Sequence, residues 1–394
     1  MNKRISLGVA ISLIAISCAI TFVISWAIFK TDISSKVTGI EEREKIQSKV
    51  NDIDLVLRAN YFGELNEDDI IREIADGFIN GLDDNLSQYM TSQDYYFYQM
   101  KTQGVLIGAG VEIANESSGY FEITAVYNNS AASANELKVG DVITEINAES
   151  TKNMSITSAR SLMTGAEGSK VNIKIIRNGE AMIFDLVHQR INITSVYNKL
   201  LSEKVGYIRI RAFNDTTAEQ LSSSLKSLKE QGAESFIFDV RQTFEGELSA
   251  LQGVLNQLLP SDFVISGISE NKSTDIIKVE NTEYLQGNTA VLVDSGTSYC
   301  GEVFALSLKH GREANIIGST TKGNGLQMKV FTFKDSTAIR IPVSEISISE
   351  STFNKSGVKP DFLVSLPAGL ESKIGTLDES TDTQLSKAVS LLLN

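Results

Sequence analysis

The sequence predicts a mixed α/β (α+β) protein built from several domains. The chain has 394 residues, which is enough for two or more domains. Helical patterns dominate the first hundred residues, short strands and turns follow, and strands then alternate with helices in the second half. Such alternation indicates βαβ units with parallel strands. We therefore divide the chain into an N-terminal segment 1–30, a helical region 31–103, a strand-rich domain 104–190 and an α/β core 191–394.

The N-terminal segment has the pattern of a membrane anchor. Residues 5–29 contain no charge and no proline, and Lys3 and Arg4 precede them. As a helix this run would extend about 37 Å, enough to cross a bilayer. We expect a single-pass helix in the cell membrane, with the N-terminus in the cytoplasm and the later domains outside. A lipid on Cys18 is a weaker alternative, because the apolar run continues past that cysteine.

The overall composition limits the kinds of partner and cofactor. The formal net charge is −13, and an acidic surface argues against nucleic acid binding. Cys18 and Cys300 lie in different predicted regions, so no disulfide framework is expected. The two histidines, His188 and His310, are too few for a multi-histidine metal site, and both are expected at the surface. We expect neither a metal nor a cofactor.

The helical region 31–103 contains two amphipathic helical patterns and a third helix start. Asn66 and Thr91 are residue types suited to cap the second and third helices. Apolar residues recur at helical spacing in the first two helices. They form one stripe on the charged first helix, and those of the second helix are expected to face inward. They are Ile46, Val50, Ile53 and Leu57 in the first helix, and Ile70, Ile74 and Phe78 in the second.

The strand-rich domain 104–190 reads as strands joined by turns and two short helices. Ser155 is suited to cap the second of these helices, "ITSARSLM". The dipeptide Asn178-Gly179 separates two apolar runs, and it is the strongest short-range signal for a hairpin.

The core 191–394 opens with a strand, "VGYIRIRAF", followed by an apparent capping box from Thr216 to Glu219. The following helix presents Leu221, Leu225 and Leu228 on one face, and a second apolar strand, "FIFDV", completes a βαβ unit. A third strand, "NTAVLVDS", leads directly into "GTSYCGE", residues 296–302. Active sites gather at the C-terminal ends of parallel strands, so this stretch is the candidate site. "MKVFTF" and "TAIRIPVSEISI" predict a closing hairpin.

The strand-rich domain resembles a PDZ domain. "LIGAGVEI" is similar to the family's carboxylate-binding loop and first groove strand, and "SAASANELKVGDVITEIN" is similar to a second family phrase. PDZ domains bind C-terminal protein tails by adding them as a strand. The resemblance implies that the amides of Leu106, Ile107, Gly108 and Ala109 take the tail carboxylate, and that the helix after Ser155 forms the other groove wall.

From about residue 44 to 392 the chain resembles the carboxyl-terminal processing, or tail-specific, serine proteases. "GLDDNLSQYMT", "FIFDVR", "GVKPDFLVSLP" and "DTQLSKAVSLL" occur in the family's order. The resemblance implies a serine nucleophile that is activated by a neutral lysine, with backbone amides stabilising the oxyanion. It also implies a homodimer paired through the terminal helices.

The sequence departs from this family at both positions of the catalytic dyad. The family phrase at the nucleophile is close to "GTASASE", and a gapless match with "GTSYCGE" places its first serine at Tyr299 and its glutamate at Glu302. The family lysine, 25 residues further on within "GKG", falls on Asn324 within "GNG". Gln327 corresponds to the glutamine that helps to hold the lysine.

The sequence also departs from the family in the region that stabilises the oxyanion. The family reads "DLRGNPGG" where this chain reads "DVRQTFEG", residues 239–246, so Phe244 and Glu245 replace a proline and a glycine. Gly246 and Cys300 belong to the same region by resemblance. Glycine is favoured where backbone amides approach a ligand closely, and a glutamate would oppose a developing oxyanion by its charge.

Three interpretations of function follow. The favoured one is a membrane-anchored protein that binds protein C-termini but has lost or nearly lost proteolysis, and that regulates an active paralogue or presents tails. The second is an active serine endopeptidase with a displaced dyad, Ser298 and Lys322, because residues two apart in an extended segment point to the same side. The third is a structural scaffold with a closed groove. Cys300 is expected to be a buried small residue rather than a nucleophile.

Overall fold

A computed structural model describes residues 40–201, 204–270, 272–367 and 369–393. The predicted membrane helix, residues 5–29, lies outside these ranges. Among the described residues, no helix combines the length and the apolar character that a membrane crossing needs. The chain divides into two compact units, with the division after Ile74.

Two helices open the described chain, α1 (Ile40–Asn60) and α2 (Glu67–Asn80). The Asn66 carboxamide accepts the Asp69 N–H at 3.4 Å, which confirms Asn66 as a helix cap. The prediction that the apolar residues of α2 face inward is wrong: Phe78 is 55 % exposed, and no residue of α2 is buried. The apolar stripe of α1 is also exposed, with Ile53 at 53 %. Helical spacing shows which residues share a face, and it does not show that another element covers that face.

A short strand and a third helix follow, β1 (Gln88–Met90) and α3 (Ser92–Thr102). The Thr91 hydroxyl accepts the Asp94 N–H, and the Asp94 carboxylate accepts the Thr91 N–H in return. This reciprocal capping box confirms Thr91 as the predicted cap.

The strand-rich domain is an antiparallel sheet with a hydrophobic core of its own. Its elements are β2 (Val105–Gly108), β3 (Val111–Asn115), β4 (Phe121–Val126), α4 (Ala131–Ala134), β5 (Val142–Ile146), β6 (Glu149–Ser150), α5 (Ile156–Met163), β7 (Lys170–Arg177), β8 (Glu180–Val187) and β9 (Gln189–Asn192). The strand order is β3-β4-β5-β7-β8, β6 pairs with β5, and β2 pairs separately with β9. The β7–β8 hairpin turns at Asn178 and Gly179, both with positive φ, as the sequence predicts.

The α/β core is built around a six-stranded sheet of order β10-β11-β13-β17-β18-β22. From residue 191 onward the elements are β10 (Val196–Leu200), β11 (Val205–Ile210), β12 (Ala212–Phe213), α6 (Thr217–Glu230), β13 (Ser235–Asp239), β14 (Glu245–Gly246), α7 (Leu248–Leu258), β15 (Val264–Ser269), β16 (Lys272–Lys278), β17 (Thr289–Val293), α8 (Cys300–Arg312), β18 (Asn315–Gly318), β19 (Leu326–Thr332), β20 (Ala338–Ile348), β21 (Ser351–Thr352), β22 (Phe362–Leu363) and α9 (Thr383–Leu393). Strands β11, β13, β17, β18 and β22 are parallel, which confirms the βαβ prediction.

The two faces of this sheet pack against different helices. On one face Leu221 of α6, Val254 of α7 and Phe304 of α8 share a core cluster with sheet residues such as Phe238. On the other face α9 packs through Leu385 and its neighbours. The C-terminal ends of β13 and β17, where the candidate site lies, are therefore supported from both sides.

The capping box predicted at the start of α6 does not form. Thr216 has helical backbone angles and its side chain makes no capping bond. Asn214 takes this role instead, since its carboxamide oxygen accepts the Thr216 N–H at 3.1 Å and the Thr217 hydroxyl accepts the Asn214 N–H at 2.9 Å. Helix α6 therefore begins at Thr217, directly after Thr216 as the sequence pattern predicts, but without the predicted capping box.

A second sheet lies beside the first. Its path is β1-β20-β15-β16, and β19 and β21 both pair with β20. The β19–β20 pair is the closing hairpin that the sequence predicts.

A buried ion network fastens α9 to the end of β13. The Arg241 guanidinium donates to the carboxylates of Asp239 and Asp382 and to the Gln384 carboxamide oxygen at 2.6–3.1 Å. All four side chains are buried. Because buried charges need such partners, the network fixes the direction in which the chain leaves β13.

Candidate active site

The candidate site forms where the chain leaves β13 and β17. The Thr297 hydroxyl donates to the Val240 carbonyl at 2.9 Å and accepts the Asp294 N–H at 3.0 Å. The Asp294 carboxylate also accepts the Gln242 N–H at 2.9 Å. These bonds fasten the turn after β17 to the turn after β13.

Tyr299 stands on a sharp turn at the start of α8. Its φ of 49° and ψ of −111° lie in a region that residues with side chains rarely adopt. The side chain is only 3 % exposed, and its hydroxyl accepts the Met328 N–H at 3.3 Å. The Arg340 guanidinium lies 5.7 Å from the ring centroid. Burial raises the pKa of the Tyr299 phenol well above its usual value, so the phenolate is disfavoured.

Glu302 joins this turn to the loop 321–324. The side chain is fully buried and accepts the N–H groups of Tyr299, Gly323 and Asn324 at 2.6–2.9 Å, together with the Thr321 hydroxyl. One carboxylate therefore holds the two segments on which the resemblance places the nucleophile and the base.

Asn324 lies in this loop with its side chain half-buried. Its Oδ1 is buried and has no hydrogen-bond partner among the described residues. Gln327, predicted to hold the catalytic lysine, accepts a hydrogen bond from the Ser344 hydroxyl at 2.6 Å. An amide side chain has no basic nitrogen, so Asn324 cannot deprotonate a nucleophile.

Ser298 and Lys322 are close in the backbone but are not joined through their side chains. The Lys322 N–H donates to the Thr297 carbonyl at 3.0 Å, whereas the Lys322 side chain is exposed. Ser298 is buried, and within the described ranges no hydrogen bond links its hydroxyl to Lys322.

The turn 242–246 presents a carbonyl to the α8 start. The Thr243 carbonyl accepts the Ser298 N–H at 2.9 Å. A Cβ at Gly301 would meet that oxygen at 2.9 Å, so glycine permits the close approach. Phe244 is 63 % exposed, and the side chain of Glu245 lies outside the described part of the chain. Gly246 has a φ of 151°, and a Cβ there would lie 2.7 Å from Phe213, so only glycine fits.

The sequence analysis missed a half-buried acid near the site. The Tyr98 hydroxyl donates to the Glu247 carboxylate at 2.5 Å. Burial raises the pKa of Glu247, and the nearby Arg340 charge opposes that rise. Tyr98, Glu247 and Arg340 lie on three elements far apart in sequence, so no local motif could have grouped them.

Cys300 is fully buried, and this burial raises the pKa of its thiol well above the usual value. His310 is exposed, in line with the prediction. The prediction for His188 is wrong, because that ring is only 4 % exposed. Its Nδ1 shares a hydrogen bond with the Ser169 hydroxyl at 2.8 Å, and Gly165 leaves space for the ring.

Comparison with known proteins identifies the two domains. The family model for peptidase family S41 matches residues 204–364, and the model for the PDZ domain matches residues 99–176. The chain therefore contains a peptidase family S41 domain and a PDZ domain. The S41 match covers the candidate site, including the α8 start and the loop 321–324.

Relatives of the same family match most of the chain. The carboxy-terminal processing protease CtpA of Bacillus subtilis (strain 168) is 26 % identical over 336 residues, which is 84 % of this chain and 71 % of the relative. A "Probable CtpA-like serine protease" of Staphylococcus aureus (strain MRSA252) is 24 % identical over 340 residues, 85 % of this chain and 68 % of the relative. A crystal structure from Bacteroides fragilis NCTC 9343, assigned to the S41 proteases, superposes with a TM-score of 0.54 at 15 % identity and covers 85 % of this chain and 91 % of that chain.

In the PDZ domain, most of the amides predicted to bind a tail carboxylate have internal partners. The Ile193 N–H donates to the Gly104 carbonyl. Because hydrogen-bonded pairs alternate along an antiparallel ladder, the N–H groups of Leu106 and Gly108 also point toward β9. The Ala109 N–H donates to the Met163 carbonyl at the end of α5 at 2.9 Å. Among the four predicted residues, Ile107 has an amide that these bonds leave unassigned.

Proposed function

We propose that this S41 member binds protein C-termini through its PDZ domain and is proteolytically impaired. The observation that carries the proposal is Tyr299, which occupies the strained turn where the resemblance places the nucleophile. The phenol is buried and already accepts the Met328 N–H.

The chemistry of the site supports this proposal at three points. The pKa of Tyr299 is raised by burial, which disfavours the nucleophilic phenolate. Asn324 supplies no general base. The turn 242–246 carries Phe244 and Glu245 where the family phrase has a proline and a glycine, and a glutamate opposes a developing oxyanion by its charge.

An active endopeptidase with Ser298 and Lys322 as a displaced dyad is the competing proposal. This proposal requires the Ser298 hydroxyl and the Lys322 amine to lie within hydrogen-bond reach of about 3 Å. In the structure Ser298 is buried and Lys322 is exposed. A purely structural scaffold is the third proposal, and the internally bonded Ala109 amide is the observation in its favour.

We further propose that the protein is held in the cell membrane by residues 5–29, with its folded domains outside the cytoplasm. The uncharged run and the preceding Lys3 and Arg4 support this orientation. The partners would be protein tails, a second copy of the chain or an active paralogue. Digestion of a C-terminal epitope by protease added to intact cells, with an N-terminal epitope protected, tests the topology.

The activity test uses the full chain in detergent micelles and an unfolded protein that ends in apolar residues. Mass spectrometry detects fragments, and tail-peptide binding is measured in parallel. We expect binding without cleavage in the wild type and in the Ser298→Ala and Lys322→Ala variants. Cleavage that either substitution abolishes would establish the displaced dyad, and absence of both cleavage and binding would favour the scaffold.

A further inference from the structure

The outer edge of β3 is where a ligand strand would add to the PDZ sheet. β3 is the terminal strand of the sheet path. Ile113 of β3 lies opposite Ile123 of β4. The Ile123 N–H donates to the Asp141 carbonyl, and the Ile123 carbonyl accepts the Gly140 N–H, both at 2.9 Å and both on the side of β4 that faces β5. In an antiparallel ladder this makes Ile113 and Ile123 a non-hydrogen-bonded pair, so the Ile113 backbone groups point away from β4. They are the groups that an added strand would use.

Arg160 of α5 occupies one of these groups. Its guanidinium donates to the Ile113 carbonyl at 3.2 Å, across the space between α5 and β3. Ile156, Arg160 and Met163 follow the i, i+4, i+7 spacing of one helical face. The helix therefore presents a single cation to the sheet edge, with an apolar residue on each side.

Among the residues that the structure describes, no carboxylate pairs with the Arg160 cation. Glu112, the nearby acid of β3, accepts the Tyr127 hydroxyl at 2.6 Å and pairs with Arg211 at 3.6 Å. Within the described ranges Arg160 forms no ion pair, and much of its side chain is exposed. Its one acceptor is a neutral carbonyl that an incoming strand must also bond.

We propose that Arg160 selects protein tails that carry an acidic side chain, an inference that rests on the proposed tail-binding function. A ligand strand that bonds the Ile113 amide and carbonyl releases the guanidinium. A carboxylate on the ligand then becomes its partner, and this charge-assisted hydrogen bond is stronger than the bond to the carbonyl. A neutral tail would release Arg160 without replacing its partner.

The pleat of a strand indicates which ligand residue is read. Side chains of an added strand alternate between the two faces, so the last residue and the third from last point to the same side. With an apolar last residue in the groove, the third-from-last side chain lies on the helix side. The preferred ligand is thus a tail with an apolar last residue and Asp or Glu at the third position from the end.

The test uses the full chain in detergent micelles and fluorescent seven-residue peptides that differ only at the third-from-last position. The peptides carry Glu, Gln or Lys there and end in Leu, and an amidated copy of each reports dependence on the terminal carboxylate. The variants are Arg160→Gln and Arg160→Glu. Lys170→Gln, which removes an exposed charge on β7, is the matched control. Thermal unfolding checks that every variant is folded.

For the wild type and Lys170→Gln we expect the Glu peptide to bind about fivefold more tightly than the Gln peptide, a difference that declines in high salt. Arg160→Gln should remove the preference, and Arg160→Glu should prefer the Lys peptide. Equal binding of all three peptides to the wild type, or an acidic preference that survives Arg160→Gln, would overturn the inference while tail binding stands. Failure of every peptide to bind, or equal binding of the amidated copies, would refute tail binding itself and the inference with it.

Discussion

At the scale of single residues, the candidate site is closed by Tyr299. Its ring fills the start of α8, and its hydroxyl satisfies the buried Met328 N–H. Tyr299→Phe leaves that donor without a partner, so we expect a loss of about 1 kcal/mol in the free energy of unfolding. The midpoint of urea unfolding measures this loss. Tyr197→Phe, which changes an exposed ring, is the control. An unchanged midpoint would show that the 3.3 Å bond contributes nothing.

His188 is a second residue whose burial has a measurable consequence. Desolvation lowers the pKa of the folded imidazole below the ordinary 6.5, so the unfolded chain binds the proton more readily. Its contribution to stability is therefore present above about pH 6.5 and is lost as the pH falls. We expect His188→Gln to weaken the acid sensitivity of unfolding between pH 7.5 and 5. His310→Gln, at an exposed position, should keep the acid sensitivity of the wild type. Identical pH profiles for the wild type and the two variants would show that His188 does not cause this sensitivity.

At the scale of elements, Glu302 holds the loop 321–324 against the start of α8. Four donors converge on its buried carboxylate. Glu302→Ala leaves them unsatisfied, and we expect a loss of at least about 3 kcal/mol. Urea unfolding measures the loss, and Glu313→Gln, exposed at the other end of α8, should change it little. A small effect of Glu302→Ala would mean that the loop is held by other contacts.

The elements also show what local sequence could predict. Asn178-Gly179 and Thr91 were predicted correctly because turn and cap geometry depend on neighbours in the chain. The capping box predicted at the start of α6 is wrong because the Thr216 side chain makes no capping bond, whereas the Asn214 side chain accepts the Thr216 N–H. For the site, the gapless match brought Tyr299, Glu302 and Asn324 together, but the Tyr98–Glu247 pair depends on strand and helix packing that no spacing encodes.

At the scale of the whole molecule, the parallel sheet and the helices packed on it position the candidate site. The buried Arg241 network still ties α9 to β13, and the parallel sheet still directs β13 and β17 to one edge. Support of this kind permits a strained residue such as Tyr299 to persist, because the surrounding structure determines its backbone. The fold therefore allows the positions that depart from the family phrases to be changed separately.

Restoring the dyad alone should not restore proteolysis. Tyr299→Ser with Asn324→Lys supplies a nucleophile and a base on segments that Glu302 still joins. The turn 242–246 would still carry Phe244 and Glu245, and a glutamate opposes a developing oxyanion by its charge. We expect a version that also carries Gln242→Gly, Thr243→Asn, Phe244→Pro and Glu245→Gly to cleave at least about 100-fold faster, the usual effect of an oxyanion donor. Equal cleavage by the two versions would show that the turn is no obstacle and that loss of the dyad alone explains the impairment.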